Sequence, residues 1–291
     1  MAEVVITDDS LVSLRDKVVV VTGSSSGIGL STVQLLLSLG ASVVGSDLNQ
    51  PTEGIESNSA QFSFYQANVA EWHSLVGLFK KAIELHGRVD HVFANAGMGP
   101  VTNYVNGIEL DDNGDPKEPT SIVLDVNLKG TINTTTLAVH YIRQNPSGGS
   151  IVVNCSATGL QRFRAVDYTV AKHGTIGLVR GMHKALTVQS VPVRINGVAP
   201  SWTGSGIVME QMFKSIGVYT QPPDAVARAA AMLMADESRR GHLIHVDHGI
   251  FKEVDEALLL PTYDTLPHKD TVNEDEAMGR MVEALKAGRR N

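Results

Sequence analysis

The sequence predicts an α/β fold: a three-layer, doubly wound parallel sheet of about seven strands in a single domain, with helices on both faces. Three observations carry the prediction. Short β-branched runs alternate with longer stretches of helical period. Several runs, Val18 to Val21 among them, are continuously apolar, as parallel strands buried on both faces are. The first run leads into a Gly/Ser-rich turn and then a helical stretch, and ligands of such sheets bind beyond the carboxyl ends of the strands.

The expected strands are 17–21, 41–46, 61–66, 89–94, 150–155, 191–196 and 242–246. Helical patterns fill the gaps. The stretch 29–39 places Val33, Leu36 and Leu37 on one face, and 71–85 carries Leu75, Phe79, Ile83 and Leu85. Further helices are expected at 121–143, 167–186 and 223–234, and a short one at 274–286. The 291 residues suggest two domains by length, yet only one sheet is legible. The expected division is an N-terminal extension over 1–14, a domain over 15–250 with a substrate lid near 203–222, and a C-terminal extension over 251–291.

Composition excludes several classes. With 43% hydrophobic and 19% charged residues, the chain has ample core material and is not a disordered protein. A net charge of -7 without a basic run argues against nucleic acid or an anionic membrane surface as partner. No apolar run approaches the roughly 20 residues of a membrane span. One cysteine, Cys155, allows no internal disulfide. The start carries no signal-peptide pattern, so a cytoplasmic protein is expected.

Thr22-Gly23-Ser24-Ser25-Ser26-Gly27-Ile28-Gly29 lies between the first strand and a helix. Glycines let the backbone approach a pyrophosphate, and the helix N-terminus offers unpaired N–H groups to it. Asp47 ends the second strand 24 residues after Gly23, near the offset at which an acid binds ribose hydroxyls. It has no Arg or Lys beside it and would repel a 2′-phosphate, which favours NAD over NADP. A plain strand-to-helix turn and a helix-capping Asp are the bland alternatives. Tyr168 and Lys172 stand at i and i+4, on one helix face. A free phenol titrates near pH 10, and a neighbouring cation favours its ionised form, so such a pair can exchange a proton with an alcohol or ketone.

The loop from Thr22 to Gly29, Asn95-Ala96-Gly97, Asn127, Ser156 in Ser-Ala-Thr-Gly, and Tyr168 with Lys172 occur in this order. The chain thereby resembles the short-chain dehydrogenase/reductase family, in its compact Rossmann-type branch, over roughly residues 15–250. The resemblance implies an NAD-dependent oxidoreductase acting between a secondary alcohol and a ketone. Tyr168 would be the general acid/base. Lys172 would bind the nicotinamide ribose and assist Tyr168, and Ser156 would hold the substrate oxygen. Asn127 would hold a water in a proton relay. The cofactor would rest on Gly23, Ser25, Ser26, Gly27, Ile28 and Gly29, on Asp47 and Leu48, on Asn68 and Val69, on Asn95, Ala96 and Gly97, and on Pro200 and Thr203. Homodimers or homotetramers built through the helices at 121–143 and 167–186 are also implied.

Departures from the family pattern are Asn68 for the usual Asp, Ser201 for a Gly, and His248 for a Gly in Asp247-His248-Gly249. Any φ > 0 required at Ser201 would strain it. Ser156 precedes Tyr168 by twelve residues, one short of the common spacing, which would land on Cys155. A hydroxyl donates better than a thiol, so Cys155 reads as a small buried hydrophobe. No metal site is expected, because His242 and His245 fall on opposite strand faces.

Met98, Leu160, Phe163, Met209, Met212 and Phe213 would line an apolar pocket, suited to a mostly hydrophobic, alicyclic or specialised-metabolite substrate. Two other readings stay open: a family member recruited for a non-redox or cyclisation step, and a non-catalytic NAD-binding protein. The tail, with Leu258–Leu260 and the 274–286 helix, is expected to cap a neighbour or the active site.

Overall fold

The computed structural model describes residues 3–51, 55, 61–205, 210–263, 265–266 and 272–288. Its strands are β1 (Val18–Thr22), β2 (Ser42–Asp47), β3 (Phe62–Gln66), β4 (His91–Ala94), β5 (Gly149–Asn154), β6 (Val193–Pro200), β7 (Leu243–Asp247) and β8 (Ile250–Glu253). They form one sheet of order β3-β2-β1-β4-β5-β6-β7-β8. All pairings are parallel except β7 with β8. The strand order reverses between β1 and β4, which opens a crevice at their carboxyl ends.

β8 is an eighth strand beyond the seven read from the sequence. It follows a two-residue turn in which both His248 (φ 51°) and Gly249 (φ 71°) are left-handed. That is the turn whose twist suits a tight hairpin. The backbone strain expected at Ser201 is absent there, since Ser201 has no positive φ, and the strained departure is His248.

The helices are α1 (Gly27–Ser38), α2 (Trp72–His86), α3 (122–142), α4 (Val166–Val188), α5 (Glu210–Ser215), α6 (Pro223–Ala235), α7 (255–263) and α8 (Glu274–Gly288). Gly87, at φ 71°, ends α2 by taking the left-handed cap that a Cβ would resist. α3 is helical throughout but widens into a π turn at Asp125–Lys129. One sheet face buries Phe79, Leu137, Ile142 and Ile176 beneath α2, α3 and α4. The other buries Val33, Leu36, Leu233 and Met234 beneath α1 and α6.

The N-terminal segment joins this second core. Asp8–Leu14 forms a 3₁₀ helix whose Leu11 and Leu14 are fully buried against it. Val4 donates its N–H to Phe251 O at 2.9 Å, so the chain start pairs with the edge strand β8.

The tail leaves β8 through a buried carboxylate. Glu253 accepts the N–H groups of Leu243, Asp255, Glu256 and Ala257. Asp255, 2% exposed, pairs with Arg180 of α4, and the side-chain hydrogen bond to Asp255 raises the Arg180 pKa against the opposing effect of burial. Lys184 of α4 meets Asp275 at 2.9 Å, which seats α8 near the carboxyl end of α4.

Candidate active site

Two cavities open at the carboxyl ends of the strands. The first, of about 660 Å³, is a groove along β1, β2 and β4. Gly23, Ser26, Gly27, Ile28, Asp47, Leu48, Asn68, Val69, Asn95, Ala96 and Gly97 line it. Its base requires glycine. A Cβ on Gly23, which has φ 68°, would stand 2.8 Å from the Ala96 Cα, and one on Gly29 would stand 1.9 Å from Gly23 O. The loop is cross-braced from β4. Asn95 Nδ2 donates to Thr22 O at 3.0 Å and Gly23 O at 3.1 Å, and the Thr22 hydroxyl accepts from the Asn95 and Ala96 N–H groups.

Asp47 closes the far end. Its carboxylate accepts the Ser25 N–H at 3.2 Å and the Leu48 N–H at 2.7 Å, which fixes its orientation. Asn68 is part of a turn, with Oδ1 accepting the Ala70 N–H at 3.0 Å and Nδ2 donating to Glu71 at 3.2 Å.

The second cavity, of about 500 Å³, adjoins the first and shares Ile28, Asn95, Gly97, Met98, Pro100, Asn154 and Ser205 with it. Ser156, Tyr168 and Lys172 line it together. Ser156 caps a short 3₁₀ turn after β5, its Oγ accepting the Thr158 N–H at 3.1 Å, which leaves the hydroxyl proton to donate elsewhere. Tyr168 and Lys172 sit one turn apart on α4, and the Lys172 Nζ lies 5.6 Å from the Tyr168 ring centroid. Lys172 is 4% exposed, and its ammonium donates to Asn154 O at 2.8 Å. Asn154 in turn donates from Nδ2 to Asn95 Oδ1 at 2.8 Å. Its own Oδ1 is buried and has no hydrogen-bond partner among the described residues, so it can accept from a bound group.

Asn127 lies in the π turn of α3, the kind of helix bulge frequent at functional sites. Its carboxamide is tied at both ends to one residue: Oδ1 accepts the Met98 N–H and Nδ2 donates to Met98 O, each at 2.8 Å. Among the described residues, no group of three or more His, Cys, Asp or Glu could hold a metal, and no helix is long and apolar enough to cross a membrane.

The model of the short chain dehydrogenase family matches residues 17–214, which span the groove, both hydroxyl-bearing groups and the start of α5. The chain belongs to the short-chain dehydrogenase/reductase family. It is 49% identical over 290 residues to the short-chain dehydrogenase/reductase ascJ of Acremonium egyptiacum, covering 98% of this chain and 97% of that protein. It is 28% identical to the (−)-trans-carveol dehydrogenase of Rhodococcus erythropolis, over 68% of this chain and 75% of that protein. Its fold matches the crystal structure of a 3-ketoacyl-(acyl-carrier-protein) reductase from Brucella melitensis complexed with NADH. There the TM-score is 0.68 at 21% identity, over 81% of this chain and 98% of the other.

Within this short-chain dehydrogenase/reductase, the sequence-predicted residues divide by where they stand. Pro200 and Thr203 line the second cavity, as do Met98, Phe163 and Phe213. Ser25 and Gly29 line neither cavity: the first braces Asp47, and the second lets the loop close on Gly23. Asn127 also lines neither. Leu160 stands apart from the site, because the turn after Ser156 directs it to a separate shallow depression with His173 and Thr169. Met212 lines neither cavity and is 56% exposed, since α5 turns Phe213 inward instead. Met209 lies outside the described residues.

Cys155 is fully buried beside Thr175, and burial pushes its thiol up to about 11, so it is an inert core residue. Among the described residues, none lining either cavity lies beyond Phe213, so the described part of the tail does not line the candidate site of its own chain.

Trp202 was not singled out by the sequence reading. It lines the second cavity, 4.7 Å from Phe213 and 6.0 Å from Phe163 between ring centroids. Its position directly after Ser201, in a motif otherwise read for glycine, was the available signal. The buried Gln221 ties the two ends of the stretch 203–221 together. It donates to the Thr203 hydroxyl at 3.2 Å and to Val246 O at 2.9 Å, and residues 203 and 221 form a β-bridge.

Proposed function

We propose that the protein is an NAD-dependent oxidoreductase that interconverts a secondary alcohol and a ketone on a mostly apolar substrate. One observation carries this: Ser156, Tyr168 and Lys172 line a single cavity continuous with a glycine-based groove that ends at Asp47. The groove fits a dinucleotide. Gly23 and Gly29 leave the space a pyrophosphate needs, Asp47 presents a fixed acceptor for ribose hydroxyls, and the unpartnered Asn154 Oδ1 awaits a donor. Between Lys17 and Lys80 the sequence holds no Lys or Arg, which supports NAD over NADP.

When bound, the nicotinamide supplies the hydride acceptor or, reduced, the donor. The chain handles the proton. In the oxidative direction Tyr168 takes it from the substrate hydroxyl; in the reductive direction Tyr168 gives it to the substrate oxygen. Lys172, held by Asn154 O, stabilises the negative charge left on the phenol oxygen. The free Ser156 proton donates to the substrate oxygen as charge develops there. Trp202, Phe163 and Phe213 supply an apolar wall suited to a ring-bearing substrate.

The test is NADH formation from (−)-trans-carveol, the alcohol in the name of one relative, and from a panel of alicyclic and steroid-like alcohols. Tyr168→Phe is expected to lose turnover by at least about a hundredfold while keeping NADH affinity. Unchanged turnover would refute the role of Tyr168. A kcat/KM higher with NADP than with NAD would refute the role of Asp47. NADH binding without redox turnover on any alcohol or ketone would favour a non-redox step.

A further inference from the structure

Residues 98–101 wall the groove, and part of that wall also borders the second cavity. Met98 and Pro100 line each of them, and Val101 lines the groove. Two buried side chains hold this wall. Asn127 of α3 grips Met98 at both its N–H and its carbonyl. Asp167, the residue before Tyr168 and 2% exposed, grips the other end. Its Oδ2 accepts the N–H groups of Val101 and Thr102, each at 3.1 Å. Its Oδ1 accepts the Tyr168 N–H at 2.7 Å. Among the described residues no cation pairs with it, so these backbone donors and the N-terminal turn of α4 offset its buried charge.

We propose that Asp167 is a positioning residue for the proposed reaction. It sets the segment 100–102 in register with the first turn of the helix that carries Tyr168. Filling of the nucleotide groove is thereby transmitted to the catalytic helix. The inference rests on the reading of Tyr168 as the acid/base. Alanine at this position removes both sets of contacts. Asparagine keeps one acceptor and turns an N–H₂ toward backbone donors, so it breaks one set while conserving volume.

The experiment is hydrogen exchange of the full-length protein with and without NADH, comparing wild type, Asp167→Ala and Asp167→Asn. Without NADH, exchange at Val101 and Thr102 is expected to rise about tenfold or more in Asp167→Ala, with β5 and β6 unchanged. With NADH, wild type should show slower exchange in both 99–104 and 166–172. Asp167→Ala should lose the slowing in 166–172, and NADH should bind about three- to tenfold more weakly. With (−)-trans-carveol, kcat is expected to fall more than KM rises. Should the alanine variant fail to fold, the asparagine variant gives the same comparison. Wild-type exchange at Val101 and Thr102, or undiminished NADH-dependent slowing of 166–172, would overturn the assignment. Failure of wild type to bind NADH would refute the cofactor reading, and the exchange without NADH would still decide the tie between wall and helix. Unchanged turnover in Tyr168→Phe would remove the acid/base reading while leaving that tie measurable.

Discussion

Leu14→Ala tests whether the chain's first residues belong to the core. Leu14 is fully buried, on a 3₁₀ helix that packs against α6. Truncating such a leucine costs about 2.7–5 kcal/mol, the lower figure applying where the surroundings can collapse into the space. A single 3₁₀ segment at the surface can shift inward more easily than a sheet strand, so about 3 kcal/mol is expected. For a protein of this size each kcal/mol moves Tm by about 2–4 °C, which predicts a fall of roughly 6–12 °C. Leu11 is three residues away and equally buried, so it sits above Leu14 on the same face. The double variant should therefore lose less than the sum of the two single ones, because the truncations share one cavity. Thermal unfolding followed by circular dichroism at neutral pH gives the reading. Val12→Ala, at a position 62% exposed, is the control and should leave Tm within about 1 °C. A fall below about 2 °C for Leu14→Ala would refute a core role for this segment.

Further predictions concern buried polar groups. Burial holds the His91 imidazole down at about 3 against an ordinary 6.5. The unfolded chain therefore binds the extra proton below pH 6.5, and the stability from neutral His91 is full above that pH and lost as pH falls toward 3. By pH 5 the loss is about 2 kcal/mol, so His91→Asn should flatten the fall in stability between pH 7 and 5 by about that much; an unchanged slope would refute it. Native Cys155 should resist iodoacetamide at pH 8 for hours, since its thiol is pushed up to about 11, and rapid labelling of folded protein would contradict its burial. Thr102 Oγ1 is buried with no hydrogen-bond partner among the described residues, so Thr102→Val should leave Tm unchanged or raise it; a clear fall would reveal a partner.

Several strands were legible because they are continuous apolar runs, and Val18 to Val21 needs no context to be read. Tyr168 and Lys172 were legible because helical spacing alone places them together. Features fixed by contacts distant in sequence were not legible. The π turn in α3 accompanies the grip of Asn127 on Met98, a pairing of residues 29 apart. Asp167 looks like an ordinary first-turn acid until Val101 and Thr102 are seen to fold back onto it. Leu11 and Leu14 sit in a segment begun by Asp8 and Asp9, too short and polar to announce a core element. β8 is four residues long after a turn, with two of them exposed. Met212 and Phe213 are adjacent in a six-residue helix, and only packing decides which faces the cavity.

The bridge between residues 203 and 221, pinned by Gln221 to Val246, separates two kinds of inheritance in this chain. The sheet and, apart from Ser205, the described lining of the groove lie outside the stretch that the bridge closes off, as do Ser156, Tyr168 and Lys172. The two ends of the stretch are thereby fixed to each other and to β7, and lengthening a loop between fixed ends costs little. Sequence change within that stretch can therefore alter Phe213 and its neighbours in the second cavity while Thr203, Gln221 and the sheet keep their contacts. Exchanging residues 204–220 between relatives would be the unit of transplantation, with Thr203 and Gln221 as its natural seams.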